Sequence, residues 1–143
     1  MHGPRVRDWM RLGVVTCEPE TSAEALAETM SLHDVSAIVV TDADGFVVGL
    51  VSRTDLVSAT FAGPDRARWR GLTARQLMSS PVISVRADCP VTEAVRRIRE
   101  RHVHRVVVTV PEGGGARPIG ILSVTDLIEH LCAARADLAG RLL

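Results

Sequence analysis

The chain of 143 residues contains no lysine and no tyrosine, and its aromatic residues are two Phe and two Trp. The absence of a lysine amine excludes Schiff-base chemistry. So few aromatic rings argue against a surface on which nucleotide bases could stack. The charge does not favour a polyanion either, because 17 basic residues balance 17 acidic residues. We therefore expect no nucleic-acid partner.

Cysteine is also scarce, with Cys17, Cys89 and Cys132 far apart in the sequence. Three dispersed thiols form neither a disulfide framework nor a Cys-x-x-Cys metal motif. No stretch of 18 apolar residues is present, and the first residues lack the apolar core of a signal peptide. These absences predict a cytoplasmic protein with no membrane partner. The apolar content of 46% is ample for a packed core.

The chain does contain an internal repeat. The octet Gly49–Leu56 (GLVSRTDL) returns as Gly120–Leu127 (GILSVTDL), with five of the eight positions identical. A shift of 68 residues also aligns the pattern of residues 10–41 with that of residues 78–109. The shift becomes 71 residues beyond the glycine-rich segment 111–117, which is three residues longer than its counterpart. Agreement across several elements indicates a duplicated structural unit.

Each half has the same predicted order of elements: a short helical turn, a strand, an amphipathic helix, two strands joined by a turn, and a last helix. The predicted strands are Val14–Cys17, Ile38–Thr41 and the first octet, then Val82–Val85, Val106–Val110 and the second octet. The amphipathic helices carry apolar residues at i, i+3, i+4 and i+7, namely Ala23, Leu26, Ala27 and Met30, and Val91, Ala94, Val95 and Ile98. Thr21 and Glu24 predict a capping box before the first of these helices, and Thr73 predicts a cap for the second helical turn.

This order predicts an α/β fold of two β-α-β-β-α repeats, with small mixed sheets covered by helices. Neither repeat can cover both faces of its sheet alone, so we expect the two to pack as a pseudo-twofold module. The predicted boundaries are 1–61 for the first repeat, 62–73 for a linker, and 74–143 for the second repeat with its C-terminal helix. An apolar stripe on that helix either completes the core or pairs with a second subunit; it consists of Leu127, Ile128, Leu131, Leu138 and Leu142.

The paired repeats, each closed by Gly-x-x-Ser-x-Thr-Asp, resemble tandem CBS domains, named after cystathionine β-synthase. Asp8-x-Met10, Pro19-Glu20-Thr21-Ser22 and both octets lie at the spacing of that family. The chain looks like a stand-alone bacterial CBS-pair protein. The resemblance implies a regulatory module, not an enzyme, that senses AMP, ADP, ATP or an adenosyl ligand such as S-adenosylmethionine in clefts between the repeats. It also implies a homodimer and an unidentified protein that the module regulates.

The resemblance further implies which residues bind the ligand. Asp55 and Asp126 would hold the ribose hydroxyls; Ser52, Thr54, Ser123 and Thr125 would contact phosphate or ribose; and Thr16 and Ser84 would contact the base or sugar. The chemistry agrees, because a carboxylate can accept both hydrogen bonds of a vicinal diol and a helix N-terminus offers N–H groups to phosphate. His104-Arg105 resembles a phosphate-contacting pair of the family, and Ser36-Ala37 in its place predicts an unequal first site.

Other interpretations of these residues remain open. Asp55 and Asp126 also suit helix N-caps, and His104-Arg105 also suits the polar start of a strand. Arg53, present in the first octet alone, is a weaker candidate for phosphate. A structural module with empty clefts that binds a protein partner is the main functional alternative. A third is metal binding through His102 and His104, although no third ligand has suggestive spacing. No residue is predicted to be catalytic, and no resident cofactor is expected.

Overall fold

A computed structural model describes residues 3–61 and 66–142, with the side chains of residues 66–67 and 134–142 outside the description. The elements of the first repeat are α1 (Val6–Trp9), β1 (Arg11–Leu12), β2 (Thr16–Cys17), α2 (Ala23–His33), β3 (Ala37–Thr41), β4 (Val47–Ser52) and α3 (Arg53–Phe61). A 3-10 helix follows at Arg66–Gly71. The second repeat contains α4 (Ala74–Leu77), β5 (Ser84–Arg86), α5 (Val91–Arg101), β6 (Arg105–Glu112), β7 (Gly115–Ser123) and α6 (Val124–Leu142). The predicted β-α-β-β-α order is confirmed in both repeats.

The strands form two small mixed sheets. In the first sheet the order is β2-β3-β4, with β2 parallel to β3 and β3 antiparallel to β4. In the second sheet the order is β1-β7-β6-β5, with β5 parallel to β6 and β1 antiparallel to β7. The sequence does not predict β1, whose residues Arg11 and Leu12 pair with Ile121 and Gly120. A strand of two residues carries no periodicity by which it could be recognised.

The chain forms two compact units that exchange their leading segments. The first, here called the Asp55 unit, contains the described residues of 14–82 together with 111–118. The second, the Asp126 unit, contains residues 3–13, 83–110 and 119–142. The leader 3–13 thus packs with the second repeat, and the leader 74–82 packs with the first. The boundaries predicted along the sequence stay a prediction, and residues 62–65 of the predicted linker lie outside the described residues.

Equivalent backbone hydrogen bonds hold the two leaders. In the Asp126 unit the N–H of Val6 donates to the carbonyl of Cys89 at 2.8 Å. In the Asp55 unit the N–H of Ala74 donates to the carbonyl of Thr21, also at 2.8 Å. Val6 and Ala74 are both fully buried, so each leader contributes its first helical residue to the core that it joins. Burial of these side chains stabilises the exchanged arrangement through the hydrophobic effect.

Each unit has its own apolar core, formed by one face of a helix and the middle strand of a sheet. The predicted helix faces are confirmed except at Val95, since Leu26 and Met30 are buried in one unit and Ala94 and Ile98 in the other. Val95 is half-buried and lines a surface concavity of α5 instead. Val108 in β6 has no exposed surface. Residues Ile38–Val40 of β3, the central strand of its sheet, are likewise fully buried.

Two local predictions at helix ends have different outcomes. The predicted capping box of Thr21 and Glu24 is wrong, because α2 begins one residue later with Ser22 as its N-cap, whose Oγ accepts the N–H of Ala25 at 3.1 Å. The physical reason is that both polar groups of Thr21 already have other partners. Its carbonyl accepts the N–H of Ala74 in the leader 74–82, and its Oγ1 accepts the N–H of Glu18 at 3.2 Å. The cap at Thr73 is confirmed, with a reciprocal pair of hydrogen bonds to Gln76.

The glycine-rich segment is mostly strand, where the sequence analysis expected a loop after Val110. Strand β6 continues to Glu112 and β7 begins at Gly115, which leaves Gly113 and Gly114 as the turn. Their φ angles are 52° and 92°. A two-residue hairpin turn needs positive φ at its central positions, and glycine adopts this conformation at no steric cost. The three extra residues therefore lengthen a hairpin.

Two glycines explain why each octet starts with that residue. A Cβ on Gly120 would lie 2.6 Å from the backbone oxygen of Arg11 and 3.2 Å from the Sδ of Met10. A Cβ on Gly49 would overlap the side chain of Met78, at the equivalent place. Each leader therefore crosses the last strand of its sheet at a position where no side chain fits. This crossing places a residue of the leader beside each octet, Arg11 opposite Ile121 and Ser79 opposite Leu50.

The predicted stripe on α6 divides in the structure. Leu127 packs against the core of the Asp126 unit, whereas Ile128 and Leu131 are 55% and 61% exposed. The side chains of Leu138 and Leu142 lie outside the described residues. Within the described residues, no helix combines the length and the apolar character needed to cross a bilayer.

Candidate ligand site

The polar half of each octet lies where the last strand of a sheet becomes a helix. In the Asp55 unit the N–H of Ser52 donates to Oδ2 of Asp55 at 2.8 Å, and the N–H of Asp55 donates to Oγ of Ser52 at 3.1 Å. In the Asp126 unit the same two bonds join Ser123 and Asp126, at 2.9 and 3.2 Å. Each Ser-x-x-Asp is therefore a reciprocal capping box that satisfies two backbone donors at a helix N-terminus.

This geometry corrects one prediction, because neither aspartate is the N-cap. Helix α3 begins at Arg53, so Ser52 is the N-cap and Asp55 is the third helical residue. Helix α6 begins at Val124, with Ser123 and Asp126 in the same relation. The aspartate belongs at the third position because its longer side chain reaches back to the N-cap N–H, whereas the serine hydroxyl reaches forward. In each capping box the serine N–H donates to Oδ2 of the aspartate. Further binding by the carboxylate therefore depends on whether Oδ1 is free.

Strand register brings the remaining predicted residues of the Asp55 unit to the same sheet edge. Thr16 begins β2 and pairs with Val39, while Ala37 at the start of β3 pairs with Ser52 at the end of β4. Thr16 and Thr54 are both exposed and Asp55 is half-buried. The edge therefore combines accessible hydroxyls, a carboxylate and the first turn of a helix.

The Asp126 unit repeats this arrangement with two additional polar residues. Ser84 begins β5, and its backbone oxygen accepts a hydrogen bond from Nη1 of Arg97 at 2.6 Å. The carbonyl of His104 accepts the N–H of Val124 at 2.9 Å, which places the His104-Arg105 segment directly beside the start of α6. The His104 side chain is exposed and Arg105, the first residue of β6, is half-buried. Thr125 is exposed on the first turn of α6.

The two aspartates differ in what their second oxygen contacts. Oδ1 of Asp126 accepts a hydrogen bond from Nε of Arg11 at 2.8 Å, in an ion pair whose side chains are 4% and 68% exposed respectively. The same contact raises the pKa of Arg11, first through the hydrogen bond and then through the charge of Asp126. Within residues 3–61 and 66–142, no ion pair reaches Asp55.

Arg11 is not among the predicted site residues. A difference between the repeats is nonetheless visible in the sequence, because the 68-residue shift aligns Arg11 with Ser79. Arg11 lies opposite Ile121, and Ser79 bridges Leu50 at the equivalent position of the other sheet. The same place beside the two octets therefore carries a guanidinium in one unit and a hydroxyl in the other.

Arg53 is engaged away from the predicted site. Its Nη2 donates to Oδ1 of Asp34 at 3.2 Å and its Nε donates to the carbonyl of Val35, also at 3.2 Å. These bonds direct the guanidinium to the C-terminal end of α2. A phosphate at the start of α3 would have to compete with them for this side chain.

The two histidines lie on exposed backbone at the end of α5. His102 adopts a left-handed conformation with φ of 55°, which ends the helix, and His104 precedes β6. Within the part of the chain that the structure describes, no group of three His, Cys, Asp or Glu side chains could hold a metal ion.

A concavity of about 540 Å³ lies on the surface of α5, away from both octets. Its lining residues are Thr92, Val95, Arg96, Arg99 and Glu100. None of the predicted ligand residues is among them. Glu93 and Glu100 bind Arg96 through salt bridges along the helix, so this surface is a network of paired charges and carries no part of the site.

Curated relatives cover nearly all of this chain. An uncharacterised protein of Methanopyrus kandleri is 27% identical over 132 residues, which is 90% of this chain and 63% of that protein. The inosine-5'-monophosphate dehydrogenase of Halobacterium salinarum is 32% identical over 92% of this chain and 25% of the enzyme. The chain thus spans less than two thirds of either relative.

Solved structures match along most of this chain and nearly all of their own. A CBS-domain-containing protein from Agrobacterium tumefaciens is 29% identical, with a TM-score of 0.75 over 88% of this chain and 97% of that one. CBSX2, solved in complex with AMP, is 25% identical, with a TM-score of 0.75 over 93% and 99%. Hypoxic Response Protein I, solved with two coordinated zinc ions, is 26% identical, with a TM-score of 0.72 over 89% and 98%.

The family model of the CBS domain matches this chain twice, at residues 6–61 and 74–133. These two segments contain both octets, residues 6–13 of the first leader and the whole second leader, and their structure is the two-repeat α/β arrangement described above. The chain belongs to the CBS domain family, as a pair of CBS repeats.

Proposed function

We propose that the protein is a regulatory module that binds an adenosyl ligand, such as AMP, ADP, ATP or S-adenosylmethionine, and that its primary site is built around Asp55. The observation that carries the proposal is the state of the Asp55 carboxylate. Oδ2 is held by the N–H of Ser52, and within the described residues Oδ1 accepts no hydrogen bond. A carboxylate oriented by a capping box and left with an unused oxygen is suited to accept hydrogen bonds from a ribose diol.

The groups around Asp55 match the other parts of such a ligand. The exposed hydroxyls of Thr16 and Thr54 and the Ser52 hydroxyl lie at or beside the edge where β2 begins and β4 ends. The N-terminus of α3 adds backbone N–H groups and the positive end of a helix dipole, which favour a phosphate. The AMP complex of CBSX2 supports this class of ligand, because the two chains share 25% of their residues and the same fold.

The proposed role is regulation rather than catalysis, because every group named at the site has a part in binding. The Asp55 carboxylate accepts the Ser52 N–H, and the hydroxyls and the N–H groups of the helix start suit the ribose and phosphate of a ligand. A ligand bound there would stabilise the conformation to which it binds best, and a partner protein would sense that change. The predicted homodimer and the regulated partner remain predictions.

Calorimetric titration tests the proposal. AMP, ADP, ATP and S-adenosylmethionine are titrated into the wild-type protein and into Asp55→Asn, whose amide keeps the volume and an acceptor for the Ser52 N–H but has one oxygen fewer. At least one ligand is expected to bind the wild type at submillimolar concentration and to bind Asp55→Asn at least tenfold more weakly. Asp44→Asn, at an exposed turn position of the same unit, is the matched control and should bind normally.

Two results would count against the proposal. Absence of heat and of thermal stabilisation with all four ligands at millimolar concentration would favour a module that binds a partner with empty sites. Equal binding by the wild type and Asp55→Asn would show that an adenosyl ligand binds elsewhere.

A further inference from the structure

The two aspartates have the same backbone setting but not the same capacity for a diol. Oδ2 of Asp126 accepts the N–H and the Oγ hydroxyl of Ser123, both at 2.9 Å, and Oδ1 accepts Nε of Arg11 at 2.8 Å. The Asp126 residue is 3% exposed. A carboxylate has about four lone-pair positions, and here three of them are used while the side chain is almost inaccessible to solvent. A ribose diol could bind Asp126 only if the Arg11 guanidinium moved away.

The position of Arg11 is set by the backbone. Arg11 lies in β1 and pairs with Ile121, which precedes Asp126 by five residues in the sequence. The backbone of Arg11 crosses close to Gly120, and this contact holds Arg11 in place. Its guanidinium also approaches Glu129 on the next turn of α6, with Nη2 to Oε2 at 3.9 Å. Two acidic side chains on one helix thus attract the same guanidinium.

The Asp55 unit provides the internal comparison. Ser79 occupies the position equivalent to Arg11, opposite Leu50 and with backbone hydrogen bonds of 2.9 and 3.2 Å to it. A serine side chain is too short and carries no charge with which to neutralise Asp55. The presence of Arg11 in one leader and Ser79 in the other therefore explains why Oδ1 of Asp126 accepts a guanidinium while Oδ1 of Asp55 is available.

We propose that Arg11 is a specificity-determining residue that occupies the diol-binding oxygen of Asp126, so that the protein binds one adenosyl ligand per chain, at Asp55. This inference rests on the function proposed above. The ligand would thus bind at one of two nearly identical octets because of Arg11, a side chain outside both of them. The His104-Arg105 pair does not restore the site, because it leaves the hydrogen bond between Arg11 and Asp126 in place.

Stoichiometry measured by calorimetry with AMP as the probe tests the inference. The wild-type protein should bind one AMP per chain. Arg11→Ser, which copies the residue of the other unit, should bind two, and Arg11→Met, which keeps an unbranched side chain without a donor, should do the same if packing is preserved. Ser79→Arg should weaken binding at Asp55 at least tenfold. Circular dichroism of each variant confirms that it is folded.

A second set of variants identifies which carboxylate binds in each case. Asp55→Asn should bind no AMP, Asp55→Asn/Arg11→Ser should regain one site, and the further change Asp126→Asn should abolish that site. Two wild-type sites of equal affinity, or one unchanged site in both Arg11 variants, would overturn the role of Arg11 while leaving the proposed function intact. Weaker binding in the Arg11 variants would show that Arg11 contacts the phosphate, which also overturns the inference. Absence of binding in the wild type and in all Arg11 variants, with AMP and with the other three ligands, would instead refute the proposed function.

Discussion

Replacing Asp126 by alanine should destabilise the ligand-free protein more than the equivalent change at Asp55. Both substitutions remove a carboxylate from a capping box, which costs about 1 kcal/mol in each case. Asp126→Ala also removes the ion pair with Arg11. Loss of a partner from a fully buried pair costs about 3–5 kcal/mol, but Arg11 is 68% exposed and water can solvate its guanidinium once the partner is gone. The additional cost is therefore closer to the value for an exposed pair, about 1 kcal/mol.

The total expected loss in the free energy of unfolding is thus about 2 kcal/mol for Asp126→Ala and about 1 kcal/mol for Asp55→Ala. Urea denaturation followed by circular dichroism measures both values. A double-mutant cycle of Asp126→Ala with Arg11→Ala isolates the ion pair and should give a coupling energy of about 1 kcal/mol. Equal losses for the two aspartates, or a coupling energy near zero, would refute the view that Arg11 stabilises Asp126.

Three further substitutions or reactions test other features of the structure. Gly120→Ala should destabilise the protein by about 1–3 kcal/mol in urea denaturation, because the new Cβ would lie 2.6 Å from the backbone oxygen of Arg11; an unchanged midpoint would contradict the crossing. His102→Gly should stabilise it by about 0.5–1 kcal/mol, because His102 has a φ of 55°; a loss of stability would mean that its side chain has a structural role. Burial raises the pKa of Cys17 to about 11 from 9.0, so iodoacetamide at pH 8 should label it about a hundredfold more slowly than an ordinary thiol, and mass spectrometry should find the exposed Cys132 labelled first.

The sequence was sufficient to predict the fold and the residues of the octets because both depend on local patterns. The apolar positions of α2 and α5 recur with helical spacing, and their burial follows from that spacing alone. Ser52 and Asp55 are three residues apart, which is the separation that a capping box requires. The assignment of the N-cap in the octets was wrong, since both residues favour helix starts and the pattern does not decide between them.

The contact between Arg11 and Asp126 could not be predicted in this way. The two residues are 115 positions apart, and they meet because leader 3–13 joins the second repeat. A linear alignment of the repeats assigns that leader to the first repeat and so pairs each leader with the wrong octet. The exchange depends on which core accepts the buried side chains of Val6 and Ala74, and two similar cores give no local signal that distinguishes them.

The exchange of leaders has a consequence for any chain reduced to a single repeat. Such a chain would carry a leader with no core to receive it, and a core whose Val6 or Ala74 position stays empty. A second copy of the same chain would supply what is missing, since the leaders make equivalent hydrogen bonds in both units. Reciprocal insertion of two leaders is a domain swap, which is a low-cost route to a twofold dimer. The exchanged leaders of this protein are thus the arrangement that fusion of two such chains into one polypeptide would produce.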